Sequence, residues 1–143
     1  MRSCTPPLAE NASDAPAALR RHEDFTRRHA DSLWRFFNTA THDAAAAEGF
    51  AADCFQSLMP AGEEPVLVAA LYDRAWQLAD DRCGGMALVR ALRQLPSSQR
   101  AVLLLQEYAG LEIADICAAV SLPREDVERL LADGRRKLLD IIP

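Results

Sequence analysis

Apolar residues return at helical spacing along nearly the whole chain, and this period limits the possible folds more than any other feature. Between Asp14 and Thr41 they fall at Phe25, Leu33, Phe36, Phe37 and Ala40, which is one face of one or two helices. Asp43 is placed to cap a second helix, with Phe50, Cys54, Phe55, Leu58 and Met59 on one side and Pro60 and Gly62 at its end. Glu64-Pro65 opens a third, because proline in a first turn costs no intrahelical bond. This helix is expected to reach Arg82 with Leu67, Leu71, Ala75 and Leu78 inward. Gly84-Gly85 is then the strongest break in the chain.

The composition agrees with helices. Half of the 143 residues are apolar, only 6% are aromatic, and β-branched residues are few beside alanine, leucine and arginine. Those three are strong helix formers, so an all-α fold is expected. The break divides it into two small helical domains, 14–82 and 86–143, after a flexible tail over 1–13 that holds Pro6 and Pro7. The longest apolar run, Val66 to Tyr72, is far short of the roughly 20 residues of a membrane span. Met1-Arg2 opens no apolar signal stretch, so a soluble, cytoplasmic protein is expected. Cys4, Cys54, Cys83 and Cys117 form no closely spaced pair, and His22, His29 and His42 make no ligand spacing with them. No metal is therefore expected, and the cysteines read as small buried hydrophobes. Ser97, Ser98 and Ser121 lack a His/Asp partner set, and Gly84-Gly85 lacks the lysine of a phosphate loop. Neither an enzyme nor a cofactor is expected.

The second half begins with a short helix from Met86 to Leu95, followed by Ser97 to Ala109 with Val102, Leu103 and Leu105 apolar and Gly110 at its end. Glu112 to Val120 is a short helix, Ser121-Leu122 a turn, and Pro123 starts a last helix reaching Ile142. Val127, Leu130, Leu131, Leu138 and Ile141 share its inward stripe. Two helices across so short a turn are the helix-turn-helix signature. The net charge of −5 lies wholly in residues 1–82, where 8 arginines face 13 carboxylates, while residues 83–143 balance at 8 and 8. A free-standing nucleic-acid binder carries a basic patch, so strong autonomous DNA affinity is not expected.

The stretch Leu92-x-x-Leu95-Pro96-x-x-x-Arg100-x-Val102-Leu103-x-Leu105-x-Glu107-x-x-Gly110-Leu111, then Asp115-Ile116-Cys117, Val127 and Gly134-Arg135-Arg136-Lys137-Leu138, resembles region 4 of the extracytoplasmic-function (ECF) sigma factors. Ala47-Glu48 with Phe55, and Leu71-Tyr72 with Ala75 and Asp81, resemble region 2 more faintly. The resemblance implies an all-α protein whose region-2-like half binds RNA polymerase core and whose region-4-like half reads promoter DNA with its last helix. By position it assigns Arg124, Arg129, Arg135, Arg136 and Lys137 to DNA, and Glu48, Asp53 and Phe55 to the polymerase or another protein partner.

The chain also departs from that pattern. Gly49 and Ala52 replace the Asp and Gln of the core-binding motif, Ala70 replaces a tryptophan, and Trp76-Gln77 stand where the family has Arg-Asn. Glu125, Asp126 and Glu128 occupy the first turns of the last helix, where carboxylates repel phosphates. At about 3.5 Å per residue, the few residues joining the halves cannot span two promoter elements tens of ångströms apart. The expected function is that of a divergent ECF sigma-factor-like transcription regulator acting with RNA polymerase, binding promoter DNA weakly when alone. The alternative is a sigma-factor mimic, a protein-interaction module whose partner is an anti-sigma factor or another regulator and which touches no promoter.

Overall fold

The computed structural model describes residues 5–58 and 62–141, with side chains from residue 16 onward. Seven helices and no strand are present among the described residues: α1 (Thr5–Thr41), α2 (Ala44–Gln56), α3 (Glu64–Arg82), α4 (Ala87–Arg93), α5 (Ser97–Glu107), α6 (Ile113–Val120) and α7 (Arg124–Ile141). The all-α expectation holds. Part of the tail expected over 1–13 differs, because the backbone is helical from Thr5 while residues 1–4 lie outside the described residues. Pro6 and Pro7 fall in the first turn of α1, where a missing N–H breaks no intrahelical bond. Met59 and Pro60, expected at the end of the second helix, also lie outside the described residues.

Helix ends follow local chemistry. Asp43 accepts from the N–H groups of Ala45 (3.1 Å) and Ala46 (3.2 Å), which fixes the start of α2. Pro65 sits in the first turn of α3. α5 ends at Glu107, short of the expected Ala109, and Gly110, three residues on, turns the chain in a left-handed conformation (φ +72°) open to glycine.

α1 and α2 pack together, and α3 lies against both. Leu33, Phe36, Phe37 and Ala40 of α1 are fully buried, as their spacing predicts. Phe36 meets Phe37 at 5.2 Å and Phe37 meets Phe50 at 5.4 Å between ring centroids. Such pairs add about 0.5–1.5 kcal/mol beyond the area they bury. In the second half α5, α6 and α7 pack on one another through Val102, Leu103, Leu105, Ile116, Val127 and Leu131. α3 also packs on α4, α5 and α6, and α1 reaches α4, so buried residues from Phe25 to Leu131 form one connected core.

Candidate nucleic-acid and partner interface

The helix-turn-helix is built from a short-range conflict resolved at one residue. α6 must stop within three residues for α7 to begin, and Ser121 does this in the left-handed region (φ 58°, ψ 44°). The Leu122 N–H then donates back to the Cys117 carbonyl at 3.3 Å, and the Pro123 carbonyl accepts from Val127 N–H at 3.1 Å to start α7. Val127, Leu131 and Gly134 face inward against α5 and α6. Gly134 permits the closest approach, since a Cβ there would lie 2.8 Å from Leu103 Cδ1.

That inward stripe leaves Arg124, Glu125, Glu128, Arg129, Ala132, Arg135, Arg136 and Lys137 exposed. The five residues assigned to DNA are all exposed along α7, with Arg135 and Lys137, two residues apart, pointing to different sides of the helix, and four of them already have carboxylate partners. Arg124 pairs with Glu128 (3.6 Å), Arg129 with Asp126 (3.6 Å), Arg136 with Asp133 (3.4 Å), and Arg135 with Glu107 on α5 (3.1 Å). Arg135 also donates to Gln106. Exposed pairs of this kind contribute only about 0–1 kcal/mol each, so their effect is on local charge rather than stability.

The residues assigned to a protein partner divide. Glu48 lies on a groove between α1 and α2 lined by Thr26, Ala30, Asp31, Trp34, Ala51, Ala52 and Phe55. Asp53 is exposed on α2. Phe55 is a core residue: it is 6% exposed and meets Phe25 edge-on at 6.3 Å, because it falls on the apolar stripe that packs α2 against α1. It floors the groove instead of projecting from it. Thr26 Oγ1, which borders this groove, and His22 Nδ1, which borders an adjoining hollow with Glu23, Arg27 and Gln56, find no hydrogen-bond partner among the described residues. Trp34 and Thr26 were not assigned to the groove from sequence, although Thr26, Ala30 and Trp34 follow the i, i+4, i+8 rule of one helix face.

The contacts between the halves are specific. Trp76 of α3 lies 4.3 Å beneath the Arg100 guanidinium, whose Nη1 donates to the Leu95 carbonyl at 3.2 Å. Burial pulls the Arg100 pKa below its usual value, with Asp80 and Asp73 opposing the shift. Phe36 of α1 meets Tyr108 at 5.3 Å, and Arg35 donates to the Tyr108 carbonyl at 3.1 Å. Arg93 of α4 reaches back across the connection to Asp80 of α3 at 2.7 Å. Within the first half, burial lowers the pKa of His29 despite its contact with Glu64, and it pushes the Cys54 thiol up to about 12. Among the described residues, no three His, Cys, Asp or Glu side chains converge as a metal site would require. No helix there is long and apolar enough to cross a membrane.

No curated protein matches the chain. Residues 85–138, which run from Gly85 through α4, α5, α6 and most of α7, match the family model of sigma-70, region 4, so the helix-turn-helix of the second half is of the sigma-70 region 4 type.

Proposed function

We propose that the protein is a divergent, ECF-type sigma-factor-like regulator that acts with RNA polymerase in transcription initiation. The match to sigma-70 region 4 carries this reading, because it falls on a helix-turn-helix whose last helix leaves Arg124, Arg129, Arg136 and Lys137 exposed. In this reading Arg124, Arg129, Arg135, Arg136 and Lys137 meet DNA, and the Glu48 groove with Asp53 meets the polymerase. Purified core polymerase should then retain the protein in a pull-down and give a promoter-dependent transcript when supplied with it. Retention without a transcript, or neither, defeats the proposal.

The ion pairs on α7 favour a second reading, that of a sigma-factor mimic which binds a regulator and no promoter. Phosphate binding draws its strength from cations free to displace counterions, and four of the five candidate cations are shared with carboxylates. On the mimic reading, duplex DNA binds only in the nonspecific range of about 10⁻⁴–10⁻⁶ M at physiological salt. The double substitution Glu125→Lys with Glu128→Lys should then tighten binding and steepen its salt dependence. Nanomolar, sequence-selective binding by the unaltered protein eliminates the mimic.

A further inference from the structure

Between α3 and α5 lies an open cleft of about 80 Å³. By the volume that one water needs, this is room for about five non-hydrogen atoms. Its inner wall is apolar: Tyr72 and Trp76 are only 2% and 7% exposed, and Leu104 is buried beside them. Ala69 of α3 and the exposed Ala101 of α5 also line it, and side chains so short leave the cleft open.

Two opposite charges face this space, Asp73 from α3 and Arg100 from α5, and they form no ion pair with each other. Arg100 lies over the Trp76 ring and uses Nη1 on the carbonyls of Leu95 (3.2 Å) and Leu92 (3.5 Å). Its Nε and Nη2 form the edge that grips a carboxylate with two parallel bonds, and among the described residues that edge has no acceptor. Asp73 accepts from Gln77 Nε2 at 3.0 Å and meets no cation among the described residues. Asp80, two turns further along α3, is by contrast held by Arg93 at 2.7 Å. Both carboxylates oppose the lowering of the Arg100 pKa that burial causes, so Asp73 is within electrostatic reach of a guanidinium it does not touch. A cation and an anion so placed leave room for a molecule that carries both charges.

We propose that this cleft binds a small α-amino acid, its carboxylate on the free edge of Arg100, its ammonium on Asp73, and its side chain against the apolar wall. The two charges of such a ligand share one carbon, which suits a space of this size. A carboxylic acid without the amine satisfies only Arg100, and an amine without the acid satisfies only Asp73. The bound molecule touches both halves and stabilises their contact by mass action. The site requires no movement of the halves and does not depend on what α7 binds, so its failure leaves the sigma-like reading untouched.

The test titrates the full chain carrying Trp34→Phe, so that Trp76 alone emits, with L-alanine, propionate and ethylamine. L-Alanine should change the Trp76 emission saturably with a midpoint of about 1 mM or below, well inside the affinity ceiling for a ligand of about six non-hydrogen atoms. Propionate and ethylamine should each bind at least about tenfold more weakly, since each lacks one charge-assisted contact. Asp73→Asn, on an exposed side chain, should weaken L-alanine by at least the same factor without weakening propionate. An L-alanine response that does not saturate by about 10 mM overturns the site. So does propionate or ethylamine binding as well as L-alanine, or L-alanine binding that Asp73→Asn leaves unchanged.

Discussion

Leu131 and Leu139 are both leucines of α7, two turns apart, and the structure gives them opposite fates. Leu131 is 3% exposed in the seam of α7 with α5 and α6, whereas Leu139 is 76% exposed. Truncating a buried leucine to alanine removes its transfer free energy and leaves a cavity, about 2–5 kcal/mol together. The entropy of unfolding near 60 °C is about 2.1 cal/mol/K per residue, or about 0.3 kcal/mol/K for 143 residues, so a loss of about 3 kcal/mol lowers Tm by about 10 °C. Leu139→Ala should stay within about 0.5 kcal/mol of the unaltered protein. The assay gains power from the placement of the tryptophans. Trp34 and Trp76 both lie on helices of the first half, whereas Leu131 lies in the second. Because the halves share one core, Leu131→Ala should move the fluorescence midpoint as far as it moves the helical circular dichroism. A fluorescence transition that stays in place while the dichroism shifts would show the halves unfolding separately and refute the shared core. Equal effects from the two leucines would refute the assignment of α7's faces.

Gly134→Ala gains about 1 kcal/mol of helix propensity but drives a methyl group into Leu103, an overpacking cost of about 1–3 kcal/mol. A modest net loss in chemical denaturation is expected, and combination with Leu103→Ala should recover about 1 kcal/mol or more in a double-mutant cycle. Arg100→Lys should lose about 1–2 kcal/mol and shift Trp76 emission to the red, since an ammonium cannot both lie flat on the indole and reach the Leu95 carbonyl. A blue shift or unchanged stability would deny the stacking a role. His29 is held neutral by burial, with its folded pKa below 6.5, while the unfolded chain takes the proton at the ordinary value. Protonation therefore favours unfolding, so this contribution to stability is full above about 6.5 and falls as the pH drops toward the folded value. Denaturation midpoints measured from pH 7 to 5 should fall less steeply for His29→Gln, and an identical slope would contradict the assignment.

Much of the local structure is legible in the residues. Asp43, Glu64-Pro65 and Gly110 mark helix ends through their own hydrogen bonding and dihedral preferences, and the inward faces of α1, α3 and α7 follow from period alone. The pairs Arg124–Glu128, Asp126–Arg129 and Asp133–Arg136 are likewise visible as i, i+3 and i, i+4 spacings. What period cannot tell is which apolar face covers which. The meeting of Phe36 with Tyr108, of Trp76 with Arg100, and of Arg135 with Glu107 joins residues far apart in the chain, and no local rule relates them. Phe55 shows the reverse case. A motif position assigned it to a partner, although its place on the apolar side of α2 already pointed to the core.

The contacts between the halves have a consequence during synthesis. The last turn of α3 is capped by Arg93, and the side of α3 that carries Trp76 is covered by residues as late as Val120. A chain made only as far as residue 82 therefore has α1, α2 and α3 to pack on one another but nothing to cover the Trp76 side of α3. At about 5–20 residues per second, the stretch from Arg82 to Val120 takes about 2–8 s to make. For that interval the nascent chain displays Trp76 and its apolar neighbours to whatever binds exposed hydrophobic surface, so its yield in a cell depends on translation speed through α4, α5 and α6 as well as on the stability of the finished protein.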